Sequence, residues 1–129
     1  MNLVDSSGWI EYLQDSARAD LFAEPIENRR QLLVPTIALY EVHKVLRRSL
    51  PADLVNRCLD VMRLGRVLDL TDHRAVAASD TARAHRLGMA DAAMYSLAQE
   101  FDAVFWTQDI DYQLLPRVRF FPKVGAQTG

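Results

Sequence analysis

Four short apolar runs, separated by stretches of helical spacing, constrain this chain more than any other feature. They are Asn2-Leu3-Val4, Leu32-Leu33-Val34, Arg66-Val67-Leu68-Asp69-Leu70 and Ala103-Val104-Phe105-Trp106. The first stops at Asp5 and the second at Pro35, which cannot donate to a strand ladder. Between the runs, apolar side chains recur every three or four residues and so line one side of a helix. Trp9, Ile10 and Leu13 mark the first helix, which Ser6 or Ser7 can cap. Residues 17–28 predict a second, broken at Pro25. Thr36 caps a third that runs to about Ser49, with Leu39, Val42 and Leu46 as its core stripe. Pro51 opens a fourth that runs to about Leu64, with Leu54, Cys58 and Val61 facing inward, and Gly65 ends it. Thr71 caps an alanine-rich helix that closes at Gly88, and a further helix covers 90–101. A weak last strand is expected from Val118 to Phe121 and a frayed tail over 122–129.

Strands that alternate with helices imply a parallel sheet covered on both sides. The expected fold class is therefore α/β, a three-layer α/β/α arrangement around a mostly parallel sheet of four or five strands. A chain of 129 residues, half of them apolar, fits one domain, 1–129, with a real core. No apolar stretch has the length of a membrane span, and Asp5 arrives before any signal-peptide core can develop, so a cytoplasmic protein with no membrane partner is expected. The single cysteine, Cys58, excludes an internal disulfide, has no companions at metal-site spacing, and reads as a small helix side chain. A formal net charge of −2 argues against a broad phosphate-gripping surface. It leaves room for a small site whose positive charge comes from metal ions, and it suits a basic partner.

In sheets of this kind, sites form in the crevice outside the carboxyl ends of the strands. Asp5 directly follows the first strand and Asp109 follows the fourth, after Thr107 and Gln108. Glu41 falls in the second turn of the helix after the second strand, and Asp91 in the first turn of the helix before the fourth. Four carboxylates from distant parts of the chain can thus meet on one rim. Packed carboxylates resist ionising together, and a divalent cation relieves them. Oxygen ligands without His or Cys favour Mg²⁺ or Mn²⁺ over zinc. Such an ion activates water and steadies charge on a phosphate. Each acid also has an ordinary reading: Asp5 as a helix cap, Glu41 as a solvated side chain, Asp91 as a partner of its helix dipole.

The segments Leu3-Val4-Asp5-Ser6-Ser7-Gly8-Trp9-Ile10, Pro35-Thr36-Ile37-Ala38-Leu39-Tyr40-Glu41-Val42, Leu87-Gly88-Met89-Ala90-Asp91-Ala92-Ala93 and Phe105-Trp106-Thr107-Gln108-Asp109-Ile110-Asp111-Tyr112 resemble, in order and spacing, the four motifs of PIN domains. The similarity spans residues 2–122, and the short single-domain form resembles the VapC toxins of bacterial toxin–antitoxin pairs. The resemblance implies a Mg²⁺- or Mn²⁺-dependent endoribonuclease that cleaves RNA, with Asp5, Glu41, Asp91 and Asp109 carrying the metal site. It implies Asp111 as an accessory acid and Thr107 and Ser6 as hydroxyls that hold the carboxylates. A homodimer and a small cognate antitoxin, whose tail blocks the crevice, are also implied. Trp106 stands where a smaller aliphatic residue is commoner, and Tyr112 where Phe is commoner; both read as changes in core packing.

Lys44, Arg47 and Arg48, one to two turns beyond Glu41, are candidates for RNA-backbone contacts, or a solvated helix end. His43, His73 and His85 are scattered without metal spacing. Tyr40 and Tyr95 can stack on a base or pack between helices. Trp9, Trp106, Phe120 and Phe121 read as core or dimer contacts, and Arg83 and Arg86 as an exposed helix face. Two other classes fit the same outline. A phosphorylated signalling receiver needs an acidic pair after the first strand and a Lys after the last, and this chain has only Asp5 and no such Lys, while Asp69 falls inside the third strand. A catalytically silent binding module would have no need of all four acids.

Overall fold

β1, Asn2–Val4, is short because the chain turns into a helix at Asp5, yet it lies at the centre of the sheet. It pairs in parallel with β2, Leu32–Pro35, and on its other side with β4, Val104–Thr107. β3, Arg66–Leu68, adds to β2, and β5, Val118–Phe120, adds to β4. All four pairings are parallel, in the order β3-β2-β1-β4-β5. The sequence order therefore departs from β1 in both directions, and the boundary between β1 and β4 is the topological switch point at which such sheets open a crevice. This computed structural model describes residues 1–123; the far end of the expected tail, 124–129, lies outside the described residues. Pro122 and Lys123 have no regular structure, although the Pro122 carbonyl accepts a 3.3 Å bond from Arg18 Nη2.

Among the described residues six helices connect and cover the strands: α1 Ser6–Leu13, α2 Ala19–Glu27, α3 Thr36–Leu46, α4 Ala52–Met62, α5 Asp72–His85 and α6 Met89–Glu100. Side chains alternate across a strand, so Val4 points to one face and Leu3 to the other. On the Val4 face the packing is tight enough that a Cβ added at Gly8 of α1 would stand 2.7 Å from Val4 Cγ1 and from Phe22 Cδ1 of α2. Phe22 meets Phe121 edge-on at 5.5 Å, and Phe121 lies 6.0 Å from Trp106. On the Leu3 face Phe105 meets Tyr95 of α6 at 5.5 Å and Tyr112 at 4.6 Å. A single turn of 3-10 helix, Ile110–Tyr112, links β4 to that aromatic cluster.

Several expected boundaries move, each for a local reason. The cap of α1 is Asp5, not a serine: its carboxylate accepts from the Gly8 N–H. Pro35 completes β2 and precedes α3, and Thr36 is the first helical residue with no capping side chain before it. Pro25 does not break α2, which continues through it to Glu27. α4 turns Val55, Leu59 and Met62 inward and leaves Leu54 and Val61 exposed, one residue round from the expected stripe. In α3, Ala38 rather than Leu39 joins Val42 and Leu46 in full burial. β3 ends at Leu68, because Leu68 pairs with Pro35, the last residue of β2. The left-handed residue that closes α5 is Arg86, at φ 56° and ψ 45°, whereas Gly88 is extended and opens α6. Thr71 caps α5 as expected, accepting from the Arg74 N–H.

Candidate active site

Asp5 leaves β1 with extended backbone and donates its N–H to the Trp106 carbonyl at 3.1 Å, which fixes it at the switch point. Its carboxylate is 3% exposed. Oδ1 accepts from the Gly8 N–H at 3.0 Å and from Ser7 Oγ at 2.9 Å; Oδ2 accepts from Thr107 Oγ1 at 2.6 Å. Oδ1 is thereby filled, and Oδ2 keeps one lone pair for another partner. Burial pushes the Asp5 carboxyl up to about 6, the neighbouring Asp109 charge adds to the rise, and the three donors oppose it.

Thr107 passes the ordering on. Its Oγ1 accepts the Asp109 N–H at 2.9 Å, and Asp109 Oδ1 accepts the Asp111 N–H at 2.9 Å. A continuous chain of hydrogen bonds thus runs from the 3-10 turn to Asp5, and such chains polarise and stiffen their members. Asp91 enters from the first turn of α6, where the helix amino end favours negative charge. Its carboxyl is nonetheless raised, by burial first and then by the charges of Asp109, Glu41 and Asp111. Glu41 sits in the second turn of α3, tethered by Ser6 Oγ, which donates to Oε1 at 2.9 Å.

Asp5, Asp91 and Asp109 line one crevice of about 580 Å³, and Glu41 adjoins it through its bond to the lining residue Ser6. The tightest set is Asp91, Asp109 and Asp111: one carboxylate oxygen from each lies within 4.8 Å of the others. Asp111 therefore stands with Asp91 and Asp109 at the centre, while Asp5 and Glu41 flank them, fixed by hydroxyls. The donor set is carboxylate oxygen only. It fits a hard divalent cation such as Mg²⁺ or Mn²⁺, which favours oxygen ligands and offsets carboxylate repulsion.

Other candidates fall outside the crevice wall. Lys44 reaches over the Tyr40 ring at 6.0 Å, and Arg47 Nη1 donates to the Leu50 carbonyl at 2.8 Å, closing the end of α3. Lys44, Arg47 and Arg48 are all exposed, as is Tyr40. Tyr95 is buried, and its hydroxyl donates to the Pro116 carbonyl at 2.6 Å, so it packs and does not await a base. The wall does include Gln108, Phe120 and Lys123, which sequence reasoning passed over as site residues. Gln108 is 5% exposed, accepts from Arg18 Nε at 2.7 Å and donates to Glu11 Oε2 at 2.9 Å. Arg18 also donates to the Phe121 carbonyl at 3.0 Å, so this network ties the end of β5 to the first two helices. Only a polar residue next to Thr107 hinted at it.

Comparison with known proteins places this geometry in a family. The PIN domain family model matches residues 3–119. The chain belongs to the PIN-domain family, the class that its parallel sheet and acidic crevice define. Among solved structures it is similar to a toxin-antitoxin complex from Klebsiella pneumoniae, with a TM-score of 0.78 at 17% identity over 92% of this chain and 96% of that one. It is also similar to Mycobacterium tuberculosis VapC20, described as a sarcin-ricin loop cleaving toxin, with a TM-score of 0.69 at 14% identity over 100% of this chain and 95% of that one. A DNA-bound VapBC from Salmonella typhimurium gives a TM-score of 0.68 at 17% identity over 95% of this chain and 98% of that one. No curated protein sequence matches the chain. Among the described residues no helix is long and apolar enough to cross a membrane. Family membership leaves the receiver reading without support.

Proposed function

We propose that the protein is a divalent-metal-dependent endoribonuclease, the toxin of a toxin–antitoxin pair. The observation that carries this reading is the convergence of Asp91, Asp109 and Asp111 within 4.8 Å beside a buried, triply hydrogen-bonded Asp5. Asp91, Asp109 and Asp111 would hold Mg²⁺ or Mn²⁺, with Asp5 and Glu41 beside them. Such an ion would supply positive charge against the phosphodiester and make an attacking water more acidic. The chain's own part is to keep the acids fixed and to admit the strand. The Asp5 oxygen Oδ2, with one lone pair left, orients a water or the ion without needing to move. Ser6, next to Asp5, holds Glu41 by its hydroxyl. Lys123 offers a cation to the RNA backbone and Phe120 an apolar face to a base, both in the crevice wall.

The partners follow from the same reading. A small antitoxin with a basic segment suits the acidic crevice and the net charge of −2. A homodimer suits the exposed apolar residues Leu70, Val76 and Met89 beside an apolar groove of about 350 Å³. A cytoplasmic location suits an RNA substrate. The test is incubation of purified protein with cellular RNA in Mn²⁺ or in EDTA, with mapping of new ends. Discrete cleavage that needs the metal and is lost in Asp109→Asn is expected. Intact RNA from folded, Mn²⁺-loaded protein would favour a silent binding module instead.

A further inference from the structure

Tyr112 is completely buried, and its ring lies 4.6 Å from Phe105 of β4 and 6.1 Å from Tyr95 of α6. Tyr95 stands four residues after Asp91, one helical turn along the same side of α6. The 3-10 turn that presents Asp111 therefore also drops the next side chain into the aromatic layer beneath the carboxylates. Burial, and after it the nearby charges of Asp91, Asp5 and Asp109, raise the Tyr112 hydroxyl far above an ordinary phenol. It favours the charged form of Asp91. Yet the oxygen is sealed from solvent and meets no acceptor at full hydrogen-bond distance and angle. A buried hydroxyl in this condition, like Trp9 Nε1 in the core, has lost water without gaining a partner, which costs stability and calls for an explanation.

We propose that Tyr112 is a positioning residue for Asp91: its hydroxyl completes a hydrogen bond to one Asp91 oxygen when a divalent cation takes the other. The bond fixes the carboxylate plane and directs the free oxygen toward Asp109 and Asp111. Outer hydrogen bonds of this kind orient metal ligands and strengthen their hold. This role rests on the metal-site reading above. A tyrosine that only fills the aromatic layer would owe nothing to its oxygen.

Tyr112→Phe removes that oxygen and keeps the ring. Mn²⁺ titrated calorimetrically into metal-free protein is expected to bind Tyr112→Phe about tenfold more weakly than wild type. The wild type is also expected to show a tyrosine difference band in the near-ultraviolet on adding Mn²⁺ that Tyr112→Phe lacks. Unchanged Mn²⁺ affinity, or the same difference band in Tyr112→Phe, would overturn the role. Asp91→Asn separates the two levels of inference. If it abolishes Mn²⁺ binding while Tyr112→Phe binds as tightly as wild type, only the positioning role falls. If wild type binds no Mn²⁺, the metal site falls and the role falls with it.

Discussion

Asp5 should make the metal-free protein less stable than it would be without the charge, and the size of the effect can be worked out. The group titrates near 3.8 in an unfolded chain and at about 6 in the fold. At about 1.4 kcal/mol per decade, the interval corresponds to about 3 kcal/mol of folding free energy at pH 7.5. The sign follows from proton binding. The folded state holds the Asp5 proton more tightly, so stability falls as pH rises from about 4 to about 6, and the full cost persists above that window. Asp5→Asn removes the charge and keeps the shape. Its amide oxygen can still accept from Ser7 and Gly8, and its Nδ2 can donate to Thr107 Oγ1, which reverses one bond and breaks none. The variant should therefore melt higher than wild type in EDTA at pH 7.5, by roughly 10 °C for a domain of this size. At pH 4.5 the difference should shrink to about 1 kcal/mol, because wild-type Asp5 is then protonated in the fold. Circular dichroism melts at the two pH values provide the assay. A gain of equal size at both pH values, or a loss at pH 7.5, would refute the reasoning.

Two further substitutions probe the scaffold. Gly8→Ala places a methyl where 2.7 Å separates it from Val4 and Phe22, and overpacking of this kind should cost about 1–3 kcal/mol, read as a lower urea midpoint at unchanged slope; an unchanged midpoint would show that the core yields. Thr107→Val keeps the volume but strips Asp5 of a donor and leaves the Asp109 N–H without its acceptor, so it should cost about 1–3 kcal/mol in the same assay. Stability within 0.5 kcal/mol of wild type would mean that water replaces the hydroxyl.

The parts of the fold readable in advance were those fixed by a single local signal. β1, β2 and β4 are apolar on both faces and stop at Asp5, Pro35 and the polar run after Thr107, so their order and the rim positions of Asp5 and Asp109 followed. α4 misled by one residue because Leu54, Cys58 and Val61 form one apolar stripe and Val55, Leu59 and Met62 another beside it. Spacing cannot choose between them; the packing of α3 can. Arg86 takes the left-handed position expected of Gly88, and Gly88 is extended at the start of α6. In the site, Asp111 read as accessory because its place beside Asp91 depends on the 3-10 turn, which sequence did not reveal. Tyr112 read as packing because the direction of a buried hydroxyl is set by tertiary contacts alone.

The proposed activity requires a divalent cation shared among carboxylates that would otherwise repel. Anomalous diffraction from crystals soaked in Mn²⁺ tests this most directly. A strong peak within coordinating distance of Asp91, Asp109 and Asp111 is the expected result. Well-ordered carboxylates with no anomalous peak among them, at Mn²⁺ concentrations that support RNA cleavage, would contradict it.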